Sequence, residues 1–102
     1  MAELIDVIAE MRGAANREVN PERRAAMFTQ LEEITDAAIR IANKQVGEHL
    51  AALSEATKQL EKGVAELKKA QKELGDVAKQ IKAVASFVDG FVRVAGLIAR
   101  GG

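Results

Sequence analysis

The sequence predicts an all-α protein: a short N-terminal helix, then a helical hairpin whose second arm is a long heptad-patterned helix, in a coiled-coil-like bundle. Three observations predict it. Leu53, Leu60, Leu67, Leu74, Ile81 and Val88 fall seven residues apart, and Leu50, Thr57, Val64, Gln71, Ala78, Ala85 and Val92 fill the positions between them. This alternation of threes and fours is the spacing of a helix-packing seam. The apolar content, 48% of the chain, is mostly Ala, Leu, Val and Ile, with three Phe and neither Trp nor Tyr. Such a palette suits helices that pack ridge into groove. Finally, 102 residues are enough for one small domain, expected over 1–102.

The first helix is expected over residues 3 to 15, with Leu4, Ile5, Ile8, Met11 and Ala15 on one side and Glu3, Asp6 and Glu10 on the other. Its acids sit toward the N-terminal end, where the helix dipole favours them. Gly13 weakens the last turn, and Asn16 to Asn20 reads as a polar connection. Asn20-Pro21-Glu22 then marks a helix start: Asn caps, Pro is preorganised for the first helical position, and Glu complements the exposed amides. The second helix is expected from 21 to 46, with Met27, Phe28, Leu31, Ile34, Ala38, Ile41 and Ala42 inward and Arg23, Arg24, Glu32, Glu33, Asp36 and Arg40 outward.

Between Ile41 and Leu50 the apolar pattern changes phase. Ala38, Ala42, Val46 and Leu50 lie four apart, so a stutter in one continuous helix would account for the shift. A helix from 21 to 99 would, however, be about 117 Å long and would need partners throughout. A turn at Gly47 is therefore expected, with a third helix from 48 to 99. Gly63 and Gly75 lie inside it, yet the heptad phase passes through both without a slip. The alternative is a break at Gly75-Asp76, a helix stop followed by an N-cap, which gives a compact four-helix bundle. The last stretch, 83–99, has a very wide apolar face: Val84, Phe87, Val88, Phe91, Val92, Val94, Leu97 and Ile98 leave only Lys82, Ser86, Asp89, Arg93 and Arg100 as a polar strip.

These features bear on function mainly by exclusion. The 15 basic and 15 acidic residues cancel, which removes the electrostatic reason to expect nucleic acid as a partner. The halves differ: residues 1 to 50 carry 6 basic and 9 acidic side chains, residues 51 to 102 carry 9 and 6, so oppositely charged halves are suited to lying together. There is no cysteine, and the single histidine, His49, has Gln45, Val46, Ala52 and Leu53 at one-turn spacings rather than a metal ligand. Carboxylate pairs such as Glu32 with Asp36 lack the Glu-x-x-His companions of a di-metal bundle, Ser54 and Ser86 lack a nearby base, and no phosphate-binding glycine loop occurs. No enzyme, metal or cofactor is therefore expected. Lys58, Lys62, Lys68, Lys69, Lys72, Lys79 and Lys82 alternate with Glu61, Glu66, Glu73 and Asp76, a solvated face laced by pairs such as Lys62 with Glu66 and Lys69 with Glu73. The N-terminus, with acids where a signal peptide is apolar, lacks a Sec-type signal, so the cytoplasm is the default location, non-classical export remaining open.

The seam carries the functional expectation. Its third helix would be about 78 Å long against about 38 Å and 21 Å for the others, so one chain cannot cover it unless a bend at Gly75 or Gly90 folds it back. A non-enzymatic structural or assembly protein acting as a homo-oligomeric helical bundle is expected, with Leu50, Leu53, Leu60, Val64, Leu67, Gln71, Leu74, Ile81 and Val88 as the oligomer seam. Gln71, a polar group in a core layer, would fix register or partner number. Ala56, Gly63 and Ala70, immediately beside the seam, would let a neighbouring backbone approach closely. The alternative is a membrane-active protein of pore-former or translocator type, which would meet a bilayer or a partner through Phe87, Phe91, Val94, Leu97 and Ile98 of 83–99.

Overall fold

In the computed structural model, which describes residues 3–101, four helices account for most of the chain: α1 Glu3–Arg17, α2 Pro21–Ile41, α3 Leu50–Lys72 and α4 Val77–Gly101. The all-α class is as expected, and of the two arrangements the structure has the break near Gly75-Asp76. The single helix over 48–99 is replaced by α3 and α4, because Glu73 to Asp76 supply a complete stop and restart. The N–H of Glu73 still donates to the Lys69 carbonyl (2.9 Å), Leu74 turns left-handed with φ 57°, and the Gly75 N–H reaches back to the Ala70 carbonyl at 2.7 Å. The last of these is the 6→1 bond of a Schellman termination, with Leu74 as its left-handed residue. Asp76 then caps α4, its carboxylate accepting from the Lys79 N–H at 3.0 Å.

The other boundaries follow equally local chemistry. Asn20 caps α2 by accepting from the N–H groups of Glu22 and Arg23 (3.0 and 3.1 Å), with Pro21 at the first helical position. The expected end at 46 moves back to Ile41: the Ala42 N–H tightens onto the Ile39 carbonyl, and the chain crosses to a short 3-10 turn, Gly47–His49. Gly47 has φ 50°, a conformation that glycine adopts without steric cost, so it is a turn residue and no continuous helix runs through it.

Contacts along the helices define the topology. Gln71 bonds the Ala14 carbonyl, Lys68 pairs with Glu10, and Val64 shares a groove with Val7, so α1 and α3 run parallel. The tight turns at 18–20 and 73–76 reverse the chain after α1 and after α3, so α2 and α4 also run parallel to each other, and Gln30 at the middle of α2 donates to the Ile81 carbonyl of α4 at 3.0 Å. The bundle is up-down-up-down, with neighbours in the ring order α1, α2, α4, α3, and among the described residues the two diagonal pairs do not pack directly. The Ala42–His49 connection therefore crosses one end of a bundle that measures 42 × 20 × 20 Å.

The core is one cluster, with Val7, Met11, Met27, Ile34, Leu60, Leu67, Val84, Val88, Phe91 and Ile98 essentially inaccessible. On α1 the buried face is rotated from expectation: Val7 is buried, whereas Ile5 lies on the opposite side and is 77% exposed. Since α4 folds back to cover α3, the uncovered seam length that called for a second copy disappears.

The small-residue stripe does admit a close neighbour. A methyl group on Gly63 would lie 2.7 Å from Cδ2 of Phe87 and 3.4 Å from a methyl of Val84. Val84 is fully buried and cannot retreat, so the Phe87 ring would have to swing outward. Gly63→Ala gains about 1 kcal/mol of helix propensity but incurs about 1–3 kcal/mol of overpacking. A net loss of about 1 kcal/mol is expected in urea unfolding. Gly90→Ala has no atom to meet within 4 Å and should be stabilising by up to about 1 kcal/mol. Equal gains for both substitutions would show that the ring does not rest on the glycine.

Candidate functional site

Burial sorts the expected seam residues. Leu53, Leu60, Val64, Leu67, Ile81 and Val88 are buried within the single chain, Gln71 is half-buried, and Leu50 and Leu74 are exposed. Gln71 lies at the α1–α3 contact: its Nε2 donates to the Ala14 carbonyl (3.0 Å) and to a Glu18 carboxylate oxygen (3.2 Å). The group Phe87, Phe91, Val94, Leu97 and Ile98 does not form one outward face. Phe91 and Ile98 belong to the core, Phe87 and Val94 are half-buried, and only Leu97 is substantially exposed. The reason is geometric: α4 contacts both α2 and α3, so a wide apolar face is what its two neighbours require.

The surface that stands out is the bundle end where the α1–α2 turn, Glu18 to Asn20, meets the α3–α4 turn, Glu73 to Asp76. The two are tied by Glu18, which is buried. One of its carboxylate oxygens accepts from the Asn20 N–H (3.2 Å), and the other accepts from Gln71. Fixed in this way, the turns present Val19 and Leu74, 92% and 93% exposed. Between them opens a cleft of about 1040 Å³ flanked by Arg17, Arg23, Lys69 and Lys72.

Sequence reasoning missed this surface because Leu74 falls in heptad phase and Val19 sits in a stretch that reads as a plain connection. The available signal was Leu74-Gly75-Asp76 itself, a stop followed by a cap with a large apolar residue at the stop. The helix-face pairs Lys62 with Glu66 and Lys69 with Glu73 do not close within 4 Å; among the described residues Lys68 pairs with Glu10, and the His49 imidazole lies 3.9 Å from a Glu48 carboxylate oxygen. The hydrogen bond and charge of Lys68 hold the Glu10 carboxyl below its ordinary range. That contact is complete above the ordinary carboxylate pKa and is lost as the pH falls through the lowered value.

Elsewhere, the described residues include no group of three or more His, Cys, Asp or Glu placed to hold a metal ion, and no helix long and apolar enough to cross a membrane. Compared with known proteins, the chain matches no family model, no curated protein and no solved structure.

Proposed function

We propose that this chain is a non-enzymatic binding module: a self-contained helical bundle whose working surface is the end where its two tight turns meet. The observation that supports the reading is Leu74. A left-handed residue at a helix C-terminus is ordinarily glycine, and a leucine there costs about 1 kcal/mol or more. Leu74 recovers none of this through packing, since it is 93% exposed. Strain held at an exposed apolar residue, beside a second one at Val19, makes sense if both meet something outside the chain.

Leu74→Gly tests this directly. The variant should keep its helix content and unfold with about 1 kcal/mol greater stability in a thermal melt. A variant no more stable than the wild type would remove the observation on which the reading rests. A homo-oligomeric assembly role is the second reading, supported by Ile39, Leu50 and Leu97, which are 67%, 54% and 44% exposed toward the opposite end. Light scattering that reports only the 10.9 kDa monomer at high protein concentration would dismiss it.

A further inference from the structure

Resting on that reading, we propose that the turn end docks onto the surface of an anionic lipid bilayer, with Val19 and Leu74 entering the interface and the surrounding cations meeting lipid phosphates. Charge complementarity is the first support. The cleft carries five cationic side chains against the two carboxylates Glu18 and Glu73, and Glu18 is already engaged by Gln71 and the Asn20 amide. Lys68 is taken by Glu10, whereas among the described residues Arg17, Arg23, Lys69 and Lys72 have no carboxylate within 4 Å. The expected pairing of Lys69 with Glu73, which would have neutralised this rim, is absent.

The size and shape of the surface decide between partners. The bundle is 20 Å across in both directions, and at this end two tight turns present two exposed aliphatic side chains, far fewer than the roughly 20–30 residues that each side of a stable protein interface contributes. A bilayer imposes no such minimum: apolar tips reach below the headgroups, and each basic residue near the surface adds roughly fivefold to the affinity. Nucleic acid would suit the cations but leave the two aliphatic tips without a role. The turns also offer no aromatic platform for bases, since Phe28, Phe87 and Phe91 all lie within helices against the core. In this orientation the bundle stands on end with its helices closed, so Ala83 to Ala99 need not leave the core.

The test is co-sedimentation of the full chain with phosphatidylcholine vesicles, with and without one part in three of phosphatidylglycerol. Binding is expected to the mixed vesicles and not to phosphatidylcholine alone, weakening as salt is added. Lys69→Gln and Lys72→Gln should each lower affinity roughly fivefold. Leu74→Gly should lower it by at least about fivefold while melting no earlier than the wild type, so lost binding could not be ascribed to lost folding. Absence of binding to the mixed vesicles would overturn the inference, as would equal binding to both kinds or undiminished binding by these variants. Binding of a single-stranded oligonucleotide that depends on Lys69 and Lys72 but not on Leu74 would overturn it in favour of a polyanion site. If vesicles fail to bind while Leu74→Gly is stabilised, the binding-module reading stands without the membrane; if that stabilisation is missing, both readings fall.

Discussion

Phe91→Ala should lower the stability of the bundle by about 3–5 kcal/mol, a large share of the roughly 5–15 kcal/mol available to a domain of this size. Phe91 is the largest of the fully buried side chains, and it belongs to the core cluster on a helix that packs against both α2 and α3. Truncation removes the transfer free energy of the ring and leaves a cavity that three helices cannot all close at once. The melting temperature should fall by on the order of 20 °C, read by circular dichroism. Leu97→Ala, six residues along the same helix but 44% exposed, should cost about 1 kcal/mol or less. The contrast bears on what the wide apolar face of α4 is for. If the segment met a membrane or a partner instead of closing the core, Phe91→Ala would leave the melt nearly unchanged and would act only on binding.

The parts of the fold that were legible in the sequence are those set by local chemistry. Asn20-Pro21-Glu22 carries its own capping geometry, so the start of α2 at Pro21 could be placed to the residue. Ala56, Gly63 and Ala70 recur with the seam, and a ring on the neighbouring helix does rest on Gly63. Gly47 carries the positive φ that separates α2 from α3. What could not be read was tertiary. The heptad phase of α3 runs into that of α4 because the turn between Lys72 and Val77 has four residues, so Leu67 and Ile81 stay fourteen apart while lying on antiparallel helices. A seven-residue repeat is satisfied equally by one long helix and by two that fold back in phase. Ile5 reads as inward because it is apolar, but the buried Val7 and Met11 mark the face that α1 turns to its neighbours. The candidate site was the least legible part, since exposure is a property of the assembled bundle: nothing in composition separates Val19 and Leu74 from their buried counterparts.

Leu67→Ala and Leu74→Ala, two identical changes seven residues apart in one heptad series, should differ sharply. Leu67 is fully buried on α3 within the core cluster. Its truncation should destabilise by about 2–5 kcal/mol, the upper part of that range applying if α1 and α4 cannot settle into the space. Leu74 ends the same helix in a left-handed turn and is 93% exposed. Alanine there keeps the unfavourable conformation and loses no packing, so its effect should stay within about 0.5 kcal/mol. The two values come from parallel urea titrations, in which the midpoint should move for Leu67→Ala with little change in slope, because the same surface is exposed on unfolding. Comparable losses at both positions would mean that Leu74 is covered in solution, as it would be if α3 and α4 ran on as one helix whose seam were buried by a second copy. A loss at Leu67 alone requires the chain to turn back at Leu74 and fill its own core, which leaves the exposed leucine free for a contact outside the bundle.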